Sequence, residues 1–131
     1  MRKIISAIAL MLILAMGAVA AFGTAEAESS EIYTDPERLY ELIGSEDTPY
    51  LLLDVRTPAE YAAGYIPTAE NIPVDQIGEN PPEVARDSLI ILYCRSGNRS
   101  NTARQILENL GYSQVVDFGG IYRWEHELHY K

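Results

Sequence analysis

Continuous runs of apolar residues predict the strands of this chain. Tyr50–Val55 and Leu89–Tyr93 are apolar almost throughout and do not alternate between apolar and polar positions. Unbroken runs of this length are typical of strands that are buried on both faces of a parallel sheet. Val115–Phe118 predicts a further strand, and Ala69–Val74 predicts a short one that Pro73 interrupts.

Two motifs that contain proline predict where the first helices begin. Thr34 lies two residues before Pro36 and three before an acidic residue, which predicts Thr34 as the N-cap of a helix that extends to about Ile43. Residues 57–60 repeat this capping pattern, and Gly64 is placed to end the resulting short helix at its C′ position.

The second half of the chain continues the alternation of strands and helices. Ser100–Leu110 has apolar residues at helical spacing and is followed by Gly111, which predicts a helix with a glycine at its end. Gly119 and Gly120 then precede a predicted final helix that carries Trp124. This order predicts an α/β fold with a mostly parallel central sheet that is covered by helices on both faces.

The first residues have the composition of a secretory signal peptide. Arg2 and Lys3 supply positive charge, Ile4–Ala21 is apolar or small apart from Ser6, and Ala25–Ala27 offers a cleavage site between small residues. This order predicts a leader over residues 1–27 that is removed on export to the periplasm or the extracellular space. The alternative is an uncleaved membrane anchor, since an apolar run of about 20 residues reaches the lower end of spanning length.

The remainder of the chain predicts one small acidic domain. Residues 28–33 form a short tether, and residues 34–131 are long enough for one hydrophobic core. Removal of the leader takes away two basic residues and one acidic residue, so the net charge changes from −9 to −10. Such a balance disfavours nucleic acid and anionic membranes as partners of the mature protein.

The chain has 1 cysteine, so it cannot form an internal disulfide. Composition alone favours a buried core cysteine, because free cysteines are among the most buried residues in proteins. The position of Cys94 in the sequence favours a functional role instead. It directly follows the strongest predicted strand and precedes a predicted helix. Open α/β sheets bind their ligands at this carboxyl end of the strands.

The loop that begins at Cys94 has the properties of an anion-binding turn. Gly97 permits a tight turn, and the backbone N–H groups of the loop and of the next helix can converge on one centre. Arg95 and Arg99 add positive charge. These features favour a thiolate, so we expect Cys94 to be a reactive nucleophile. The candidate substrate-binding residues are Arg95, Ser96, Gly97, Asn98 and Arg99.

Four separate motifs resemble the signatures of rhodanese-like domains. They occur in the expected order as Asp54–Arg56 with Glu60–Tyr61, Gly64–Pro67 with Ala69–Pro73, Tyr93–Ser100, and Gly119–Ile121 with Trp124. Two positions depart from the usual pattern of the family, because Tyr65 replaces a histidine and Thr68 replaces a glycine. Both lie in the part of the pattern that spans residues 64–73 and not in the loop that begins at Cys94, so they affect the local turn and not the nucleophile.

The resemblance implies a sulfurtransferase that uses neither a metal nor an organic cofactor. The Cys94 thiolate would attack the outer sulfur of a donor such as thiosulfate, sulfite would leave, and a persulfide would remain on Cys94. The sulfur would then pass to cyanide, a small thiol or a protein thiol. Asp54 and Arg56 are expected to support the loop from beneath.

Two alternatives to this function stay open at this point. One is a module without catalytic activity that carries sulfur for a protein partner through the same Cys94 persulfide. The other is a phosphatase or arsenate reductase of the same fold. Those enzymes place five residues between the cysteine and the arginine, whereas four separate Cys94 from Arg99.

Overall fold

A computed structural model describes residues 30–131 of the protein. The predicted leader and the beginning of the tether lie outside the described residues. Four strands form one parallel sheet in the order β2-β1-β3-β4, which confirms the predicted fold class. The strands are β1 (Leu51–Asp54), β2 (Glu70–Asn71), β3 (Leu89–Cys94) and β4 (Gln114–Gly120). Within the described range, no helix is long and apolar enough to cross a membrane.

Helices cover both faces of this sheet. They are α1 (Pro36–Gly44), α2 (Pro58–Ala62) and α3 (Asn98–Asn109), with short 3₁₀ turns at Glu31–Thr34 and Ile121–Arg123. On one face, α1 and α2 join a buried cluster that includes Leu39, Tyr61, Ile91 and Tyr93. On the other face, α3 joins a cluster that includes Ile90, Leu92, Ala103 and Leu107. Successive residues of β3 therefore point to opposite faces, as the geometry of a strand requires.

The two predicted helix starts have different outcomes. Thr34 is not the N-cap of α1, because the helix begins at Pro36 and the carboxylate of Asp35 accepts a hydrogen bond of 2.8 Å from the backbone N–H of Glu37. A carboxylate at this position satisfies a free amide and also favours the positive end of the helix. The predicted capping box of α2 is confirmed by the reciprocal bonds between Thr57 and Glu60.

Two boundaries near the loop that begins at Cys94 also differ from the predictions. The helix predicted to start at Ser100 begins at Asn98, because Gly97 adopts a left-handed conformation with φ of +106° and serves as its N-cap. The predicted final helix is wrong. The chain makes a 3₁₀ turn and becomes extended at Trp124, which lies in the core. The next residues instead form an antiparallel bridge between Tyr65 and His129.

Candidate active site

Cys94 is the last residue of β3 and lies between β1 and β4 at the carboxyl edge of the sheet. Its side chain belongs to the cluster on the α3 face, so the sulfur lies beneath the start of that helix. The residue is fully buried. In β4, Gly120 pairs with Cys94, and a side chain at Gly120 would lie 2.7 Å from the backbone oxygen of Arg95. Glycine at this position therefore allows β4 to approach the loop.

Two groups of the loop contact the Cys94 sulfur directly. The backbone N–H of Gly97 donates to Sγ across 3.0 Å, and Oγ of Ser100 lies 3.5 Å from Sγ. The Ser100 hydroxyl also lies 3.1 Å from the carbonyl oxygen of Gly97 and 3.5 Å from that of Gly119. Ser100 was not among the predicted site residues. The signal that could have identified Ser100 is its position in the first turn of the helix that follows Cys94.

These contacts alter the acidity of the thiol. Burial raises the pKa of Cys94, but hydrogen bonds from the Ser100 side chain and from the backbone amides of Ser100, Gly97 and Ser96 outweigh burial, and the pKa is lowered. Donors that point at a thiolate stabilise the charged form. The side chain of Ser96 is exposed, so this residue contributes through its backbone. The arrangement therefore favours the thiolate form of Cys94.

The two arginines of the loop have different surroundings. Arg99 donates to both carboxylate oxygens of Glu60 over 2.7 and 3.0 Å. Hydrogen bonds from Arg99 lower the pKa of Glu60 to about 2, with further bonds from Thr57 and against the opposing effect of burial. Arg99 therefore links the loop that begins at Cys94 to α2. Arg95 is exposed, and within residues 30–131 its guanidinium has neither a hydrogen-bond nor an ion-pair partner.

A buried ion pair supports the neighbouring strand end. Asp54 is fully buried at the end of β1, and Arg56 is 7% exposed. Nη2 of Arg56 lies 2.6 Å from Oδ2 of Asp54 and donates a second bond of 2.6 Å to the carbonyl oxygen of Gly64. The guanidinium also lies 5.7 Å from the centre of the Tyr93 ring, next to Cys94 in the chain. The pair joins β1, the turn after α2 and β3.

An open cavity of about 390 Å³ adjoins this loop. Its lining combines charged residues and small or apolar ones, namely Arg56, Glu60, Ala63, Gly64, Arg95, Ile121 and Leu128. Asn98 does not line it and is exposed at the start of α3. Within the described residues, no group of three or more His, Cys, Asp or Glu side chains could hold a metal ion.

Neither of the two departures from the family pattern lines this cavity or contacts the Cys94 sulfur. The Tyr65 ring stacks on Tyr61 with 4.3 Å between ring centres, so it packs on α2. Thr68 has a φ of +73°, in the left-handed region where glycine is usual, and its hydroxyl lies 2.9 Å from that of Tyr50. The turn thus keeps its left-handed conformation although a side chain is present.

Comparison with known proteins agrees with this geometry. A family model described as a rhodanese-like domain matches residues 35–127. A sulfurtransferase of Allochromatium vinosum is 43% identical over 84 residues, which is 63% of this chain and 77% of the relative. A thiosulfate:glutathione sulfurtransferase of Saccharomyces cerevisiae is 30% identical over 99 residues, which is 64% of this chain and 70% of the relative.

A solved structure is also similar to this chain in its fold. The crystal structure of a rhodanese-like domain protein from Staphylococcus aureus matches with a TM-score of 0.61 and 35% sequence identity. The match covers 70% of this chain and 91% of the other. The chain therefore belongs to the rhodanese-like domain family, whose members similar to it include sulfurtransferases.

Proposed function

We propose that this protein is an enzyme that transfers sulfane sulfur from a donor such as thiosulfate to a thiophilic acceptor through a persulfide on Cys94. The observation that carries the proposal is the contact of Sγ with the Gly97 amide and the Ser100 hydroxyl at the start of α3. A cysteine that served only to fill the core would not need these donors. The sulfurtransferases among its relatives support the same class of reaction.

In the first half of the reaction, the Cys94 thiolate attacks the outer sulfur of thiosulfate. A bond forms between Sγ and that sulfur, the sulfur–sulfur bond of thiosulfate breaks, and sulfite leaves with the bonding electron pair. The persulfide keeps one negative charge, which the loop amides stabilise. Arg95 is the loop arginine that is free to bind the sulfonate, because the guanidinium of Arg99 is already held by Glu60.

In the second half, an acceptor thiol attacks the outer sulfur of the persulfide. The acceptor becomes a persulfide, and Cys94 returns to the thiolate that the same donors stabilise. Glutathione is a suitable acceptor for a first assay, because one relative is a thiosulfate:glutathione sulfurtransferase. The residues described here carry out both halves by binding, orientation and stabilisation of charge.

Mass spectrometry of the protein after treatment with thiosulfate tests this proposal. We expect one added sulfur on the wild type and none on Cys94→Ser, because Cys94 is the only thiol in the chain. Steady-state release of sulfite with glutathione should be abolished in the same variant. A wild type that gains no sulfur, or a Cys94→Ser variant with full activity, would contradict the proposal. Persulfide formation without turnover by any small acceptor would favour a sulfur carrier instead.

The proposed place of action is outside the cytoplasm. The order of charged, apolar and small residues over residues 1–27 supports a leader that is removed on export, with the tether and the domain retained. In an oxidising compartment a lone thiol cannot pair within its own chain. Burial of Cys94 and rapid conversion to a persulfide would both protect it from adventitious oxidation.

A further inference from the structure

Two tyrosines next to the cavity are unusually exposed. Among the large hydrophobic side chains of residues 30–131, Tyr122 and Tyr130 have the greatest exposed fractions, 72% and 68%. The Tyr122 ring lies against Gly120, on the side where the backbone oxygen of Arg95 approaches. The Tyr130 ring lies 3.2 Å from the position that a Cβ on Gly64, a residue of the cavity wall, would take. We call these two residues, with Ile121 and Leu128 of the cavity wall, the tyrosine rim.

Unpaired acidic side chains lie between the two tyrosines in the chain. Glu125 and Glu127 are both exposed, and neither carboxylate has a hydrogen-bond or ion-pair partner within the described part of the chain. The whole chain has a net charge of −9. The same segment carries the cations Arg123, whose guanidinium donates to the backbone oxygen of Thr34, and Lys131, whose ammonium lies over the Tyr61 ring. The carboxylates of Glu125 and Glu127 are therefore the charges of this segment that have no partner within the described residues, whereas Arg56 and Arg95 line the cavity.

Thiosulfate does not account for this surface. It is a small dianion, so it gains nothing from exposed aromatic rings and is repelled by nearby carboxylates. Exposed tyrosines around a concave site are instead typical of protein interfaces, where a ring buries a large area and its hydroxyl stays hydrated. The carboxylates favour a partner segment that carries Lys or Arg.

We infer that the tyrosine rim docks a cysteine-bearing, basic peptide segment of a partner protein, and that this cysteine is a sulfur acceptor. The inference rests on the proposed function and specifies its acceptor. The partner thiol would enter the cavity and attack the outer sulfur of the Cys94 persulfide. The new sulfur–sulfur bond forms on the partner, the bond to Sγ breaks, and the Cys94 thiolate is released.

A disulfide-exchange assay measures docking without any sulfur transfer. The probes are a peptide with one cysteine between lysines, the same peptide with glutamates, and glutathione, each activated as a mixed disulfide with a chromogenic aryl thiol. Attack by the Cys94 thiolate joins the probe to Cys94 and releases the aryl thiolate, which is followed by absorbance. We expect the lysine peptide to react at least tenfold faster than the glutamate peptide at low ionic strength, and the difference to shrink in high salt.

Variants locate the docking surface. Tyr122→Ala and Tyr130→Ala should each slow the lysine peptide about tenfold and leave the glutathione probe within about twofold. Leu110→Ala is a matched control, since Leu110 is 38% exposed at the other end of α3 and should change neither rate. The double variant with Glu125→Lys and Glu127→Lys should reverse the preference between the two peptides. It tests the same surface if a tyrosine variant proves unstable in thermal melts.

Several outcomes would overturn the inference. They are equal rates for the two peptides in the wild type, an equal loss for peptide and glutathione in the tyrosine variants, and an unchanged preference after charge reversal. Sedimentation that shows a dimer which the tyrosine variants dissociate would assign the rim to a second copy of this chain. Failure of the proposed function looks different, because Cys94 would then gain no sulfur from thiosulfate while the exchange assay still discriminated between peptides.

Discussion

Replacement of Arg95 by glutamine removes the one loop cation that has no partner within residues 30–131. The change keeps a polar side chain but shortens it and removes its charge. Arg95 is exposed and its guanidinium has no hydrogen bond or ion pair to lose within residues 30–131, so we expect the melting temperature to stay within about 1 °C of the wild type. The effect should appear in the reaction with an anionic donor.

The size of that effect follows from the interaction that is lost. A charge-assisted hydrogen bond contributes about 1.5–3 kcal/mol, which corresponds to about a tenfold to hundredfold change in rate. Because Arg95 is exposed, water and salt compete for it, and we expect a loss of about tenfold in kcat/KM for thiosulfate at physiological ionic strength. An uncharged persulfide donor has no sulfonate, so its loss should be much smaller.

Arg99→Gln is the matched variant, because it removes the same charge from the same loop. Its guanidinium is bound to Glu60, and the two side chains are 34% and 29% exposed. Solvent screening limits such a pair to about 1 kcal/mol, which lowers the melting temperature of a domain of this size by about 4–8 °C. The loop loses its tie to α2, so thiosulfate and the uncharged donor should be impaired alike.

The assay compares the two variants with both donors, through sulfite release and persulfide formation, alongside thermal melts. A selective loss for thiosulfate in Arg95→Gln, with a general loss and a lower melting temperature in Arg99→Gln, is the expected pattern. Unchanged thiosulfate kinetics in both variants would refute the reasoning and show that backbone amides alone bind the donor. A selective thiosulfate loss in Arg99→Gln would assign the sulfonate to Arg99.

Three further predictions concern the thiol, the support beneath it and the leader. Ser100→Ala removes the hydroxyl that contacts the Cys94 sulfur and lowers the pKa of this thiol, so it should raise the pH midpoint of iodoacetamide alkylation. The rate at pH 6 should fall about tenfold and recover in Ser100→Thr, and an unchanged pH profile would contradict this role. Arg56→Met leaves the fully buried carboxylate of Asp54 unpaired and should lower the free energy of unfolding by about 3–5 kcal/mol in denaturant titrations. A decrease in the free energy of unfolding below about 1 kcal/mol would contradict the structural role of the pair. The exported protein should begin at Glu28 when its N-terminus is sequenced, whereas an intact N-terminus on a membrane-bound protein would show that residues 1–27 are an anchor.

Local patterns were enough to predict the fold class and to select Cys94 as the candidate nucleophile. The apolar runs before Asp54 and Cys94 predicted buried parallel strands because such strands have no polar face to display. The capping box of residues 57–60 predicted α2 because its bonds join residues three apart in the chain. Cys94 could be singled out because the end of a strand and the start of a helix meet at one loop, and both are visible in the sequence.

The roles of the two arginines were decided by tertiary structure. Arg95 and Arg99 look alike in the sequence, but Arg99 meets Glu60, which is 39 residues away along the chain. That contact depends on how α2 packs against the loop that begins at Cys94. No local sequence pattern predicts this packing. The same holds for Ser100, whose hydroxyl reaches Gly119 on β4 as well as the cysteine.

Residues 119–131 show most clearly the difference between what local sequence patterns predict and what tertiary packing decides. The two glycines at residues 119 and 120 and the apolar residues after them predicted a helix, but burial of Trp124 in the core turns the chain into an extended path across Gly64. Only that path brings Leu128 and Tyr130 beside Gly64 of the cavity wall. Hydrogen bonds between near neighbours and the period of apolar residues are properties of the sequence itself. Which distant side chains share a site depends on packing, because the burial of large rings outweighs local helix propensity.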